Sequence, residues 1–120
     1  MRGHLRENIY CRDPLAKVLI VGEEDHQPYM RTPLSKEMWF MTDKEAVSQL
    51  KFTQWNGRDR SLKFEPSSFY TPPQELSDSA KGGISVLTGR RVVKVDAEGQ
   101  TATLADGSKI GFGKCLIATG

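Results

Sequence analysis

The sequence predicts an α/β fold in three parts: a portion of a parallel sheet, a helix and hairpin insertion, and a three-stranded antiparallel β-meander. Three observations carry this reading. Lys17-Val18-Leu19-Ile20-Val21 is an unbroken β-branched and aliphatic run, the pattern of a strand buried on both faces and hence of a parallel sheet. Asn56-Gly57 interrupts the alternating apolar and polar residues between Phe52 and Phe64, which is a hairpin signal. Further on, three strand-like runs are joined by Glu98-Gly99 and Asp106-Gly107, turns in which glycine is expected to supply a positive φ.

Taken in order, Leu5 and Ile9 stand four apart before Asp13-Pro14, as in the tail of a helix that ends ahead of the first strand. A polar loop from Gly22 to Arg31 follows the strand. Thr32-Pro33-Leu34-Ser35-Lys36-Glu37 carries the cap and early-proline signals of a short helix, and Asp43 caps a second one with Ala46, Val47 and Leu50 on one face. The aromatics Trp39, Phe52, Trp55 and Phe64 are expected to anchor this irregular insertion to the core; the alternative is a stacking platform for a base or a flavin. From Gly82 the pattern changes to Ile84-Ser85-Val86-Leu87, then to Val92–Asp96, Thr101–Leu104 and Lys109–Phe112, the strands of the meander. Lys114-Cys115-Leu116-Ile117-Ala118-Thr119-Gly120 reads as a second buried strand ending in small residues, with Cys115 a small buried hydrophobe.

Length and composition narrow the function classes. A chain of 120 residues suffices for one domain with a modest core. With 38% hydrophobic and 27% charged residues it has the composition of an ordinary soluble domain, and its longest apolar stretch is far short of the ~20 residues that span a bilayer. A net charge of +2 gives no argument for nucleic acid or an anionic membrane. Cys11 and Cys115 have no companions at metal-ligand spacing, so no metal site is expected. The basic start from Met1 to Arg6 is followed by Glu7 and lacks the apolar core of a targeting segment, so an organelle address, if the full protein has one, is expected upstream of it. His4 and His26 lack partners at catalytic spacing, and no Ser-His-Asp grouping or P-loop can be assembled. Gly111-Phe112-Gly113 lacks the third glycine and the strand-turn-helix setting of a dinucleotide loop.

Three groups of residues remain that can carry chemistry. Glu23 and Glu24 directly follow a parallel strand, where a doubly wound sheet places the acceptor-only acid that takes hydrogen bonds from a ribose; a solvated acidic loop is the competing reading. Arg31 and Lys36 flank the start of the short helix and can face a diphosphate or flavin, or stand in solvent as two surface cations. Thr119-Gly120 lets the backbone approach a ligand closely, as it also does in plain turns.

In their order along the chain, these pieces resemble the FAD-binding domain of the apoptosis-inducing factor family of flavoproteins. The resemblance rests on Val18-Leu19-Ile20-Val21 followed by an acid, on Pro28-Tyr29-Met30-Arg31-x-Pro33-Leu34-Ser35-Lys36-Glu37, on Gln54-Trp55-Asn56-Gly57, and on the closing Ala118-Thr119-Gly120, and it runs from about Asp13 to Gly120. It implies FAD as cofactor and NADH as hydride donor in the parent protein. It also implies that Glu23, with Glu24 beside it, holds the adenosine ribose, and that Val92 meets adenine through its backbone. Arg31 would bind near the diphosphate and flavin, Lys36 would reach the isoalloxazine ring as the residue nearest the chemistry, and Thr119 and Gly120 would pack against the cofactor. The family's setting implies the mitochondrial intermembrane space, respiratory-chain maintenance, dimerisation, and nuclear DNA contact in caspase-independent cell death, for which Lys114 with Arg90 and Arg91 are the cations available.

The departures from the family pattern are as informative. The first strand and Gly-x-Gly-x-x-Gly loop, which grip the diphosphate, would precede Leu5, and the NADH-binding and C-terminal regions would follow Gly120. Residues 1–120 are therefore expected to be an incomplete FAD-binding domain, inactive in isolation. Two alternatives stand beside this: a shortened, non-enzymatic isoform that binds other proteins, and a related reductase passing electrons to a ferredoxin or rubredoxin.

Overall fold

The computed structural model describes residues 12–119; the helix tail expected around Leu5 and Ile9, and the closing Gly120, lie outside the described residues. The chain enters β1 (Lys17–Val21), then an insertion of three single-turn helices, α1 (Thr32–Ser35), α2 (Glu37–Phe40) and α3 (Lys44–Ser48). A hairpin follows, β2 (Lys51–Thr53) and β3 (Asp59–Ser61), then a 3₁₀ turn at Ser67–Phe69 and the single-turn α4 (Pro73–Leu76). It closes with β4 (Gly83–Leu87) and the meander β5 (Val92–Asp96), β6 (Thr101–Leu104) and β7 (Lys109–Gly111).

The expected parallel sheet is present: β1 pairs in parallel with β4, Lys17 opposite Gly83 through to Val21 opposite Leu87. With two strands of this sheet among the described residues, Val18 to Val21 are half-buried rather than enclosed on both faces as predicted. Ile84 is 3% exposed and Ser85 fully buried, because the chain before β4 folds back over it. Thr71 donates its N–H to Ile84 O at 2.8 Å, and Ser85 Oγ donates to Thr71 O at 2.6 Å. The buried polar side chain thus has its partner, as the cost of burying it requires.

The insertion carries its own small core. Met38, Phe52 and Leu62 are buried together, with Tyr29, Met30, Met41 and Val47 packed against them. Asp43 caps α3 as predicted, its carboxylate accepting from the N–H groups of Glu45 and Ala46 at 3.0 and 3.2 Å. At α1 the capping signal is displaced: Arg31 stands at the N-cap position, makes no side-chain cap, and Thr32 is already helical. The Asn56-Gly57 turn forms, with Gly57 at φ 78° and Gln54 N–H donating to Arg58 O at 2.8 Å. Two of the four aromatics do not anchor the insertion. Phe52 is buried and Phe64 half-buried, but Trp39 and Trp55 are 75% and 96% exposed. Trp55 sits at the hairpin tip, beyond the reach of the core, and Trp39 shares its single helical turn with Met38, which takes the inward place.

The meander forms as predicted, β5-β6-β7 antiparallel. Its first turn differs in detail. The positive φ falls on Gln100 (51°), while the Asp96 carboxylate accepts from the N–H groups of both Glu98 and Gly99. That Asx geometry replaces the glycine-centred turn, and the place where Gly99 would carry a Cβ is filled by Asp96 Oδ2 at 2.6 Å. The second turn follows expectation, with Gly107 at φ 88°.

The expected second buried strand at Lys114–Gly120 does not form among the described residues. Lys114 to Thr119 have no strand pairing, Leu116 and Ile117 are 64% and 68% exposed, and Cys115 is an exposed free thiol rather than a buried one. An apolar run becomes a strand only when another backbone completes its ladder, and this one pairs with none of β1 to β7.

Candidate functional site

The carboxyl ends of β1 and β4 point the same way, and the two segments that leave them run side by side. Gly22 N–H donates to Leu87 O at 3.1 Å, Arg90 N–H to Gly22 O at 2.9 Å, and Gly89 N–H to Glu24 O at 3.1 Å. Ligands of open α/β sheets bind at such strand ends. Gly89 makes the approach possible: its φ is 63°, and a Cβ there would lie 2.4 Å from Asp25 Oδ1.

Four charged side chains pair on this ridge. Glu23 faces Arg91 at 3.9 Å, both about 70% exposed. Glu24 is held more closely, Oε1 accepting from Arg31 Nη2 at 2.8 Å and Oε2 from the Tyr29 hydroxyl at 2.8 Å. The Arg31 guanidinium also lies 5.9 Å from the centre of the Tyr29 ring, at the outer limit of a cation–π contact. Arg90 is drawn the other way, to Asp106 at 3.5 Å. The Ser108 hydroxyl and then its N–H hydrogen-bond the Asp106 carboxylate, and with the Arg90 charge they hold its pKa below the ordinary 3.8.

The meander is fastened to the same place. Ala105 N–H donates to Arg91 O at 2.8 Å, so β6 leads back to the loop that carries Arg91. The register of β5 against β6 shifts between Val92 and Lys94, a bulge at the end next to the strand tips. Bulges turn the strand locally, and this one sets the backbone of Val92 just beyond Arg91.

Of the residues singled out in the sequence, Glu23, Glu24 and Arg31 are thus brought together, with Val92 adjacent along the chain. Lys36 is the junction of α1 and α2, its N–H donating to Pro33 O at 3.4 Å, and no ion pair joins it to the acids among the described residues. Lys114 and Thr119 lie in the exposed C-terminal run, which forms no strand. Sequence reasoning missed Tyr29 as a partner of Glu24 and Arg91 as a partner of Glu23. Their signal is the length of the loop: five residues from Glu24 to Tyr29 suffice for the chain to double back onto the strand end.

The donors and acceptors suit an adenine dinucleotide. Glu23 is an acceptor-only group in a loose ion pair, available to ribose hydroxyls, and Arg31 and Arg91 supply cations within reach of the same ridge. The shallow clefts between Arg60 and Pro66 and around Thr71 to Ser79 include none of these residues. No helix among the described residues is long and apolar enough to cross a membrane.

Residues 7–120 match the family described as pyridine nucleotide-disulphide oxidoreductase. A Drosophila melanogaster protein bearing the name "Putative apoptosis-inducing factor 1, mitochondrial" is 46% identical over 114 residues, 93% of this chain and 15% of that protein. The Dictyostelium discoideum apoptosis-inducing factor 1, mitochondrial, is 31% identical over 117 residues, 98% of this chain and 20% of that protein. The ferredoxin–NAD(+) reductase component of the p-cumate 2,3-dioxygenase system of Pseudomonas putida is 30% identical over 104 residues, covering 87% of this chain and 20% of that protein. The chain therefore spans a fifth or less of the length of these three relatives.

Proposed function

Because the chain belongs to the pyridine nucleotide-disulphide oxidoreductase family, whose members use a flavin and a nicotinamide nucleotide, we propose that it is part of an FAD-binding domain in an NADH-oxidising flavoprotein of the apoptosis-inducing factor kind. The observation that carries this reading is the placement of Glu23 at the carboxyl end of a parallel strand, beside the segment from Gly89 to Val92. When bound, FAD supplies the hydride-accepting chemistry. The chain's own residues bind and orient it. Glu23 accepts hydrogen bonds from the adenosine ribose. Val92 presents its backbone to adenine, and Arg31 offsets the negative charge of the diphosphate. Lys36 belongs to the flavin side, where a cation stabilises negative charge on the reduced ring; Thr119 and Gly120 allow close approach of the cofactor.

On this reading residues 1–120 form an incomplete FAD-binding domain, and the remaining binding elements and the NADH site belong to the rest of the protein. The mitochondrial compartment follows from the names of the two apoptosis-inducing factor relatives, and a role in cell death is proposed on the same ground. Lys114 stands as the candidate phosphate contact for DNA, since Arg90 and Arg91 are engaged by Asp106 and Glu23. The ferredoxin–NAD(+) reductase likeness favours a second reading, in which the electrons pass to a small iron–sulfur protein.

The test is the visible spectrum of the full-length protein purified with excess FAD, followed by anaerobic addition of NADH. Bound flavin that bleaches on NADH addition is the expected result. A protein that retains no flavin contradicts the reading, and rapid transfer to a ferredoxin in place of slow reoxidation selects the second one.

A further inference from the structure

Two adjacent glutamates end β1, and their surroundings differ. Among the described residues, Glu23 has one loose ion-pair partner, Arg91 at 3.9 Å. Glu24 has each carboxylate oxygen engaged at 2.8 Å, one by Arg31 and one by the Tyr29 hydroxyl, and its carbonyl receives Gly89 N–H at 3.1 Å. It therefore touches three segments: the strand end, the returning stretch of Tyr29 to Arg31, and the loop before β5.

We propose that Glu24 is a positioning residue, which acts on cofactor binding through Arg31 rather than by meeting the ligand itself. This rests on the reading of the strand ends as an adenine-dinucleotide site. Arg31 has a long, rotamer-rich side chain that is 68% exposed on its own loop, so without a partner its guanidinium samples many positions. The Glu24 carboxylate confines it beside the strand end, and the Tyr29 hydroxyl bond holds that carboxylate in place. An incoming diphosphate then meets a cation already close by, and competes for its donors with a half-exposed ion pair that is readily exchanged. Arg31 carries five N–H donors, so it can turn some toward phosphate while keeping one on Glu24.

The experiment is a calorimetric titration of full-length protein with FAD, ADP and adenosine, across wild type, Glu24→Gln, Glu24→Asp, Arg31→Gln and the double variant. Glu24→Gln is expected to weaken FAD and ADP about five-fold, the upper range for an exposed ion pair. It leaves adenosine unchanged, because adenosine has no diphosphate. The double variant is expected to be no weaker than Arg31→Gln alone, and Glu24→Asp to recover part of the loss. Additive losses in the double variant, or an equal loss for adenosine, overturn the role assigned to Glu24 while leaving the dinucleotide site standing. Wild-type protein that binds neither FAD nor ADP removes the site itself, and the inference with it.

Discussion

Replacing Ser85 with alanine isolates the contact that seats β4. The hydroxyl donates to Thr71 O at 2.6 Å, and Ser85 is fully buried. Alanine fits the space, so the loss is confined to one hydrogen bond and one carbonyl oxygen left without its donor. Leaving a buried acceptor unsatisfied costs about 1–3 kcal/mol, with the lower figure applying if water can reach Thr71 O. The neighbouring bond from Thr71 N–H to Ile84 O, 2.8 Å, weakens with it, since both depend on the same segment lying over β4. Leu19 pairs with Ser85, so β1 feels the change through the ladder. Native-state amide exchange reads such local openings: the amides of β1 and β4 are expected to exchange about 5- to 140-fold faster in Ser85→Ala, as each 1.4 kcal/mol is a factor of ten. The meander amides of β5 to β7 keep their rates. Unchanged exchange in β4 would refute the assignment of Ser85 as the anchor, and equal acceleration in the meander would show that the two sheets open together.

Three further predictions follow from other parts of the chain. Phe52→Ala empties the centre of the insertion core beside Met38 and Leu62, and should cost about 3–5 kcal/mol, seen as lost exchange protection across β2 and β3. Gly89→Ala forces a side chain onto φ 63°, at about 1–2 kcal/mol; the Asp25 side chain can swing away from the new Cβ, so the backbone sets the loss. The loop should move off Glu24 and FAD binding should weaken in titrations, less so for Gly89→Asn, which tolerates that conformation. The Asp106 carboxyl should titrate below 3.8 by NMR and return toward it in Ser108→Ala, because the Ser108 hydroxyl is the largest cause of the depression. The sign follows from the lowered value: the β6–β7 turn is fully held above the ordinary carboxylate range and loosens as pH falls through the depressed pKa.

Much of this architecture is legible in residue pattern because it is locally encoded. The run Lys17–Val21, the Asp43 cap, Asn56-Gly57 and Asp106-Gly107 each specify their conformation within a few residues, and each forms as expected. Features that depend on distant partners are not encoded locally. Lys114–Gly120 has the composition of a strand, yet strand formation needs an edge to pair with, which no composition guarantees. Trp39 and Trp55 have the burial habit of core residues, but a single-turn helix and a hairpin tip leave them in solvent. Glu98-Gly99 reads as a glycine turn, and a carboxylate two residues upstream recasts it with Gln100 in the left-handed region. At the site, Glu23 and Glu24 are recognisable from their place after a parallel strand, and Arg31 from its place before the short helix. Which glutamate pairs with which arginine is decided by how the loops return, and only the three-dimensional arrangement assigns Arg31 and Tyr29 to Glu24 and Arg91 to Glu23.

The most direct test of the central claim is a crystal structure of the full-length protein with FAD. The Glu23 carboxylate is expected within hydrogen-bond distance of the adenosine ribose hydroxyls, with the Val92 backbone alongside adenine. An adenosine end bound elsewhere, with Glu23 still facing Arg91, would contradict it.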